Sequence, residues 1–519
     1  MGGRPSLAGF PLPFFPYADA YEHKPVPAVC VGTGLCDAVK FCKKFAKSQE
    51  FLVDRHLAGG IIGVAVLKKT CKIEVTVMLL EFGAKNYKSF WEPFLFSMVP
   101  APKQKGIDYS ILEEKICGKA YKGLSSAVIY GANASGKTNI IGAIDTLKTI
   151  LLRGNIKNTE DIRNPNYAAA TLELIPNCKR EIPEPVEFLV SFLDGGIAFR
   201  YELALDLGTF LNQKYPRRIL REALYVNGIC AFERTDRLHT ADILKLQKYL
   251  NTGIAEGVES VAQIAENSLN EQELFLTNGF KTIFSKRLAG AVTEWVDQRL
   301  IVIYRSDAMQ IMRRYANPKE KTVYVEKTLT DAAKEFGINS NALGYRVSVD
   351  SGDAELCSIF RKGNKSAVIP AEMFESYGTV RFIHEFPLIV NAMLHGATLI
   401  MDEFDASIHP MLLMNIINIF HNDDINKNHA QLIFNTHNPV FLTANLFRRD
   451  EIKFVERNDN TEESIHYSLS DFKTYGKQGV RKGEDYMKNY FISRYGAIKD
   501  VDFSPILERI LEEAGEDHG

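Results

Sequence analysis

The sequence predicts a mixed α/β protein built around a phosphate-binding loop, and three segments carry that prediction. Gly131-Ala132-Asn133-Ala134-Ser135-Gly136-Lys137-Thr138 fits the pattern G-x-x-x-x-G-K-[ST]. Ala397-Thr398-Leu399-Ile400-Met401 is an apolar run that ends in the adjacent carboxylates Asp402 and Glu403. Gln431-Leu432-Ile433-Phe434-Asn435-Thr436 is a third run, followed by His437-Asn438-Pro439. Short apolar runs of this kind read as strands buried on both faces, as in a parallel sheet.

The loop comes in the right local context. Ala127-Val128-Ile129-Tyr130 enters it as a buried strand, and Asn139 to Ile144 leaves it as a helix with apolar periodicity. Backbone N–H groups of such a loop cradle phosphates, Lys137 reaches the β- and γ-phosphates, and the helix N-terminus adds its dipole. Residues 131–139 are therefore the expected ATP-binding segment. Asp402, at a strand tip, is placed to hold Mg²⁺. Magnesium prefers one or two carboxylates with waters and phosphate oxygens, so Thr138 and Asp402 would share it. Glu403 is the candidate to polarise the attacking water. Taken alone, a solvated Asp-Glu pair at a strand end is the plainer alternative.

Two further segments bear on the class. His437, just past a strand tip and downstream of the paired carboxylates, can reach a γ-phosphate. Glu375-Ser376-Tyr377-Gly378-Thr379 precedes an apolar helix from Val380 to Leu394. Serine and glycine opening a helix form an anion site; equally, Ser376 reads as an ordinary helix N-cap.

The order of GANASGKTN, ESYGT, LIMDEFDASIHP and NTHNP resembles ABC-type ATPase heads of the RecF/SMC/OLD branch. It looks closest to single-chain ATP-binding proteins of bacterial phage-defence and abortive-infection systems, such as the ATPase subunit of PARIS-like systems. Asn86-Tyr87-Lys88-Ser89-Phe90, Glu222-Ala223-Leu224-Tyr225 and the segment Tyr490 to Ile498 resemble further motifs of that branch. The resemblance implies a mixed sheet with an antiparallel β subdomain and an inserted helical arm. It implies Lys137 on the β- and γ-phosphates, Thr138 and Asp402 on Mg²⁺, Glu403 as catalytic base and His437 as γ-phosphate switch. Ser376 and Gly378 would reach the ATP of an opposing head, with Asp405 in the loop coupling the two sites. A homo-oligomer, at least a head-to-head dimer, is thus implied. The signature segment lacks the leucine and trailing glutamine of the transporter form.

Composition bounds the rest. The chain has 519 residues, 46% of them hydrophobic, enough for a sizeable core. Net charge is −2, so no global basic field drives nonspecific nucleic-acid binding. Local basic clusters (Lys214 with Arg217, Arg218 and Arg221; Arg313-Arg314; Arg361-Lys362) read as solvated faces or as a phosphate-contacting patch. No apolar run is long enough to span a membrane. The eight cysteines show no zinc-ligand spacing, and a reducing cytoplasm with free thiols fits them.

Four stretches are expected. Residues 1–77, Gly-Pro-rich without sustained periodicity, form an N-terminal extension, either an over-extended start or an extra module. Residues 78–210 form the N-terminal lobe with the phosphate loop. There, Asp194-Gly195-Gly196 separates two alternating runs and signals a hairpin. Residues 211–345 read as an inserted, mainly helical arm, strands near Leu224 and Ala231 giving way to helical spacing. Residues 346–519 complete the head. No acidic cluster suited to a nuclease follows His437, so a separately encoded nuclease or toxin is the partner the resemblance suggests. A DNA-clamping repair ATPase and a nucleotide-gated switch with little turnover are the other readings.

Overall fold

The computed structural model describes residues 77–102, 104, 106–157, 172–210, 212, 215–240, 243–250, 257–304, 313–314, 323–325, 327–335, 340–347, 353–473, 480–481, 483–499 and 501–516. The expected extension over 1–77 lies, but for Val77, outside the described residues.

A six-stranded sheet forms the centre. In spatial order it runs β11 (Leu300–Ile303), β17 (Thr398–Met401), β18 (Gln431–Asn435), β5 (Ser126–Tyr130), β19 (Ile452–Arg457) and β20 (Ser464–Ser468). The first five are mutually parallel, and β20 closes the edge antiparallel to β19. Every residue of β5, β17 and β18 is buried. Their side chains alternate between two cores. Ala127, Ile129, Ile400 and Ile433 face the core that includes helix α1 (Lys137–Arg153). Val128, Tyr130, Leu399, Met401, Leu432 and Phe434 face the other. That second core includes α5 (Tyr377–His395) and α6 (Pro410–His421). A sheet covered on both faces has no use for polar alternation, which is why these strands read as unbroken apolar runs. Burying each of the larger aliphatic and Phe side chains among them stabilises the fold by about 1.5–3 kcal/mol.

Beyond α1 stands a seven-stranded antiparallel sheet. Its order is β10 (Leu238–His239), β9 (Ile229–Arg234), β8 (Arg218–Val226), β7 (Ile197–Asp206), β6 (Val186–Asp194), β1 (Met78–Lys85), β2 (Phe94–Ser97). The β6–β7 turn is the expected Asp194-Gly195-Gly196 hairpin; both glycines have positive φ, 63° and 72°, as a tight twisted turn requires. Gln431, fully buried on β18, joins this sheet to the central one. It accepts from Leu79 N (2.6 Å) and Thr398 Oγ1 (3.0 Å) and donates to Leu79 O (3.1 Å) and Leu124 O (2.8 Å). Leu124 ends the hairpin of β3 (Ile111–Ile116) and β4 (Lys119–Leu124).

The stretch 211–345 is more divided than a mainly helical reading suggests. Strands β8 to β10 extend the antiparallel sheet. The helical part, with α2 (Val258–Asn267) and α3 (Lys286–Glu294), packs Phe275, Phe280, Leu288 and Trp295 into the same core as α1. Trp295 stacks on Phe192 of β6 at 3.8 Å between ring centroids. Immediately after, Leu300-Ile301-Val302-Ile303 becomes β11, so the chain rejoins the central sheet well before Tyr345. Four apolar residues following a helical stripe cannot be told from its continuation by periodicity. A third sheet holds β12 (Arg313–Arg314), β13 (Val323–Val325), β14 (Ala342–Val347), β15 (Asp353–Lys362) and β16 (Lys365–Pro370). With α4 (Lys327–Lys334) it packs on Val380 and Ile383 of α5, and so positions that helix's N-terminus. Two further helices, α7 (Tyr486–Phe491) and α8 (Ser504–Glu516), follow β20. Among the described residues no helix is long and apolar enough to cross a membrane.

Candidate nucleotide site

Because β5, β17 and β18 are adjacent and parallel, their C-terminal tips open on one edge. Segments that are far apart in sequence therefore deliver the phosphate loop, the carboxylate pair and the His437 segment to one place, where α/β sheets characteristically bind ligands.

The loop from Gly131 is held from both sides. Gly136 sits at φ 109°, and a Cβ there would meet Ser464 Oγ at 2.6 Å and Ser89 Oγ at 2.8 Å. Both conformation and space demand glycine. Ser464 Oγ donates to Ser135 O (2.6 Å), and Asn139 Nδ2 donates to Ser89 Oγ (2.7 Å). Ser89 belongs to the Asn86–Phe90 motif, so that motif buttresses the loop. Asn133 and Ala134 stand exposed at the loop's crest, Ala134 with φ 59°. Lys137 is only 5% exposed, and its Nζ donates to Gly131 O and Ala132 O, each at 2.9 Å. Burial pushes its ammonium down to about 8, against the pull of the Asp402 and Glu403 carboxylates.

Thr138 Oγ1 donates to Asp402 Oδ1 at 3.1 Å. These are hard oxygen donors of the kind Mg²⁺ takes. Among the described residues no group of three or more His, Cys, Asp or Glu could hold a metal ion. Glu403 is exposed, with φ 50°, a left-handed conformation that costs a non-glycine residue about 1–2 kcal/mol. Its peptide is gripped at both ends. Glu403 N donates to Asn435 Oδ1 (2.5 Å), and Glu403 O accepts from Arg381 Nη2 (2.6 Å). Asn435 Nδ2 also donates to Asp402 Oδ1 at 2.5 Å.

Asp405 Oδ2 accepts from Thr436 Oγ1 at 2.6 Å, while burial pushes its carboxyl upward. His437 is exposed beside this cluster. Partial burial, then the Lys137 charge, lower its basicity; Asp405 and Asp402 oppose them.

Ser376 and Gly378 lie apart from these contacts. Ser376 is exposed and caps α5, its Oγ accepting from Thr379 N at 3.2 Å. The N-cap reading is therefore realised, and the Ser376 hydroxyl also pairs with Thr379 Oγ1 at 2.8 Å. Gly378 has an intrachain reason to be glycine: a Cβ there would sit 2.0 Å from Ser407 O, in the loop just past Asp405. Arg381, one turn on, pairs with Glu385 (2.9 Å) as well as holding Glu403 O.

Asn435 and Arg381 are functional candidates that sequence reasoning missed. Asn435 stood inside the quoted NTHNP segment; a polar residue ending an otherwise apolar strand was the available signal. Arg381 gave a comparable one, a cation on the apolar helix Val380–Leu394. Two arginines of the basic cluster are ion-paired, while Arg217 donates from Nη1 to Ile156 O at 3.4 Å. Arg218 meets Asp206 (2.9 Å), and Arg221 meets Glu202 and Glu233 (2.6 Å each). Lys214 lies outside the described residues.

Residues 126–443, more than half of the chain, match the family described as "AAA domain, putative AbiEii toxin, Type IV TA system". None of the curated proteins matches in sequence. Among solved structures, one described as "Crystal structure of the SmcHead bound to the C-winged helix domain of ScpA" is similar at 14% identity and a TM-score of 0.31. That match covers 76% of this chain and 98% of the other.

Proposed function

The chain belongs to this AAA-domain family of AbiEii type, and from that premise we propose that it binds and hydrolyses Mg²⁺-ATP between two copies of itself. The observation that carries the reading is the joining of Lys137, Thr138, Asp402 and Glu403 at the tips of three neighbouring parallel strands. Loop N–H groups and Lys137 would bind the phosphates, the buried ammonium finding in them stronger acceptors than the loop carbonyls. Thr138 and Asp402 would hold the magnesium, which when bound neutralises charge building on the β- and γ-oxygens. Glu403 would accept a proton from the attacking water, and His437 would donate to the γ-phosphate. Ser376 and Gly378 would present the start of α5 to the partner's nucleotide, and the loop with Asp405 would pass between the sites.

The family's toxin–antitoxin description supports a role in bacterial antiphage defence or abortive infection, as a cytoplasmic sensor or scaffold for a separately encoded nuclease or toxin. The PARIS-like resemblance of the motifs points the same way. Glu403→Gln tests the chemistry. It keeps Asp402 and Thr138, so ATP binds with unchanged affinity, while turnover falls by about 10²-fold or more. Turnover near that of the wild type would move the base elsewhere.

A further inference from the structure

We infer that Asn435 is a positioning residue for the proposed hydrolysis, its amide fixing Asp402 and Glu403 relative to each other and to Thr138. The inference rests on the Mg²⁺-ATP reading above, and its geometry is independent of the resemblance that led to that reading.

Asn435 ends β18 and is 1% exposed. The last ladder pair between β17 and β18 is Met401 with Phe434, so Asn435 stands beside Asp402 one step beyond the pairing. There the β17 chain leaves its pairing with β18, so the Glu403 N–H lies beyond the ladder, and the chain then turns away at Glu403 with φ 50°. A displaced N–H at a packed strand tip needs an acceptor. Asn435 Oδ1 supplies it, while the same amide's Nδ2 donates to Asp402 Oδ1. Only one orientation of the amide satisfies both contacts, because the carboxylate can only accept and the N–H can only donate. Asp402 Oδ1 thereby receives two donors, Asn435 and Thr138, and its carboxylate is held in one orientation at the proposed magnesium position.

The side chain's chemistry is close to unique for this task. Aspartate would keep the acceptor for Glu403 N–H but bring a second carboxylate against Asp402. Alanine would leave the N–H unmatched and free the Asp402 carboxylate to turn. Together with Arg381 on the carbonyl side, Asn435 holds the Glu403 peptide at both ends, which sets where the carboxylate of Glu403 emerges.

The test uses the full chain as wild type, Asn435→Ala and the near-isosteric Asn435→Asp, measuring kcat, ATP affinity, Mg²⁺ half-saturation and Tm. In Asn435→Ala, kcat falls on the order of 10²-fold, as for an Å-scale misplacement of reacting groups, with ATP affinity within about threefold. In Asn435→Asp, Mg²⁺ half-saturation shifts by more than it does in Asn435→Ala, because the donor to Asp402 is lost and a like charge replaces it. A merely structural role would lower Tm in both while leaving the Mg²⁺ requirement and the kcat-against-affinity split unmoved. Should Asn435→Ala not fold, the isosteric variant decides alone. Wild-type kcat and Mg²⁺ half-saturation in a folded variant overturn the inference. A wild type without Mg²⁺-dependent turnover instead overturns the functional reading, and the positioning role falls with it.

Discussion

The strand-tip cluster and the face at the start of α5 differ in how much of their bonding is met within the chain. Around Asp402 nearly every polar contact is internal: Thr138, Asn435, Thr436 and Arg381 each engage the carboxylate loop, and Lys137 folds onto its own loop's carbonyls. At the start of α5, the hydrogen bonds of Ser376 among the described residues run along its own first turn, and large apolar side chains stand in solvent. Met373 is 79% exposed and Tyr377 61%; Met411, which follows the loop touched by Gly378, is 60%. One region is organised in the single chain, whereas the other presents unspent apolar surface beside the exposed Ser376. Covering such side chains on docking would contribute about 1.5–3 kcal/mol each, surface that the proposed pairing of two copies would draw on. Arg381 spans the two, since it lies on α5 and bonds the Glu403 carbonyl.

The sharpest way to break the comparison is at the organised end. Lys137→Ala removes the cluster's main point charge for phosphate, and ATP binding should become undetectable by calorimetry at concentrations that saturate the wild type. Tight binding in that variant would show that the loop does not hold the phosphates.

The outward end predicts a different defect. Ser376→Arg should leave ATP affinity unchanged and reduce turnover, because the cation fills the space where the opposing phosphate would dock. Mixing it with Lys137→Ala should restore part of the activity, since one composite site in a mixed dimer keeps both intact halves. No rescue in demonstrated mixed dimers would mean that Ser376 acts within its own chain or as a cap, or that one intact site cannot fire alone.

The smallest effect concerns the link between the regions. Glu385, buried beside Arg381, is pushed up to about 7 by burial against the pull of that guanidinium. Its second oxygen is buried without a hydrogen-bond partner among the described residues. A carboxyl raised on folding contributes stability that is present below the ordinary carboxylate range and lost as pH rises through about 7. Between pH 5 and 8 the wild type should therefore lose on the order of 1–3 kcal/mol that Glu385→Gln retains, seen as a flatter Tm-against-pH profile. Parallel profiles for the two proteins would show that the pair stays ionised throughout.

Much of the central sheet was legible because its chemistry is local. Strands buried on both faces must be apolar throughout, and a phosphate loop needs glycines at fixed places, so β5, β17, β18 and α1 announce themselves. Strand β11 did not, because Leu300-Ile301-Val302-Ile303 follows a helical stripe with no break in hydrophobicity. The five-stranded sheet packed on α5 was hidden in part for a related reason. Its strands β12 and β13 are two and three residues long, too short for a period to show, whereas β15 and β16 flank Gly363-Asn364, a two-residue turn with Gly363 at φ 60° that was a readable hairpin signal.

The candidate site divides in the same way. Sequence alone determined which groups could meet phosphate and magnesium, since Lys137, Thr138, Asp402, Glu403 and His437 are the residue types that chemistry requires, each next to a strand or helix end. Only the tertiary structure decided what holds them. Asn435 matters because β18 lies beside β17 in parallel register, Gly378 because α5 presses on the Ser407 carbonyl, and Arg381 because its helix brings the guanidinium to the Glu403 carbonyl. Those relations depend on strand order and helix packing, which join residues far apart in the chain. A side chain's reach across such a gap is written in no local pattern.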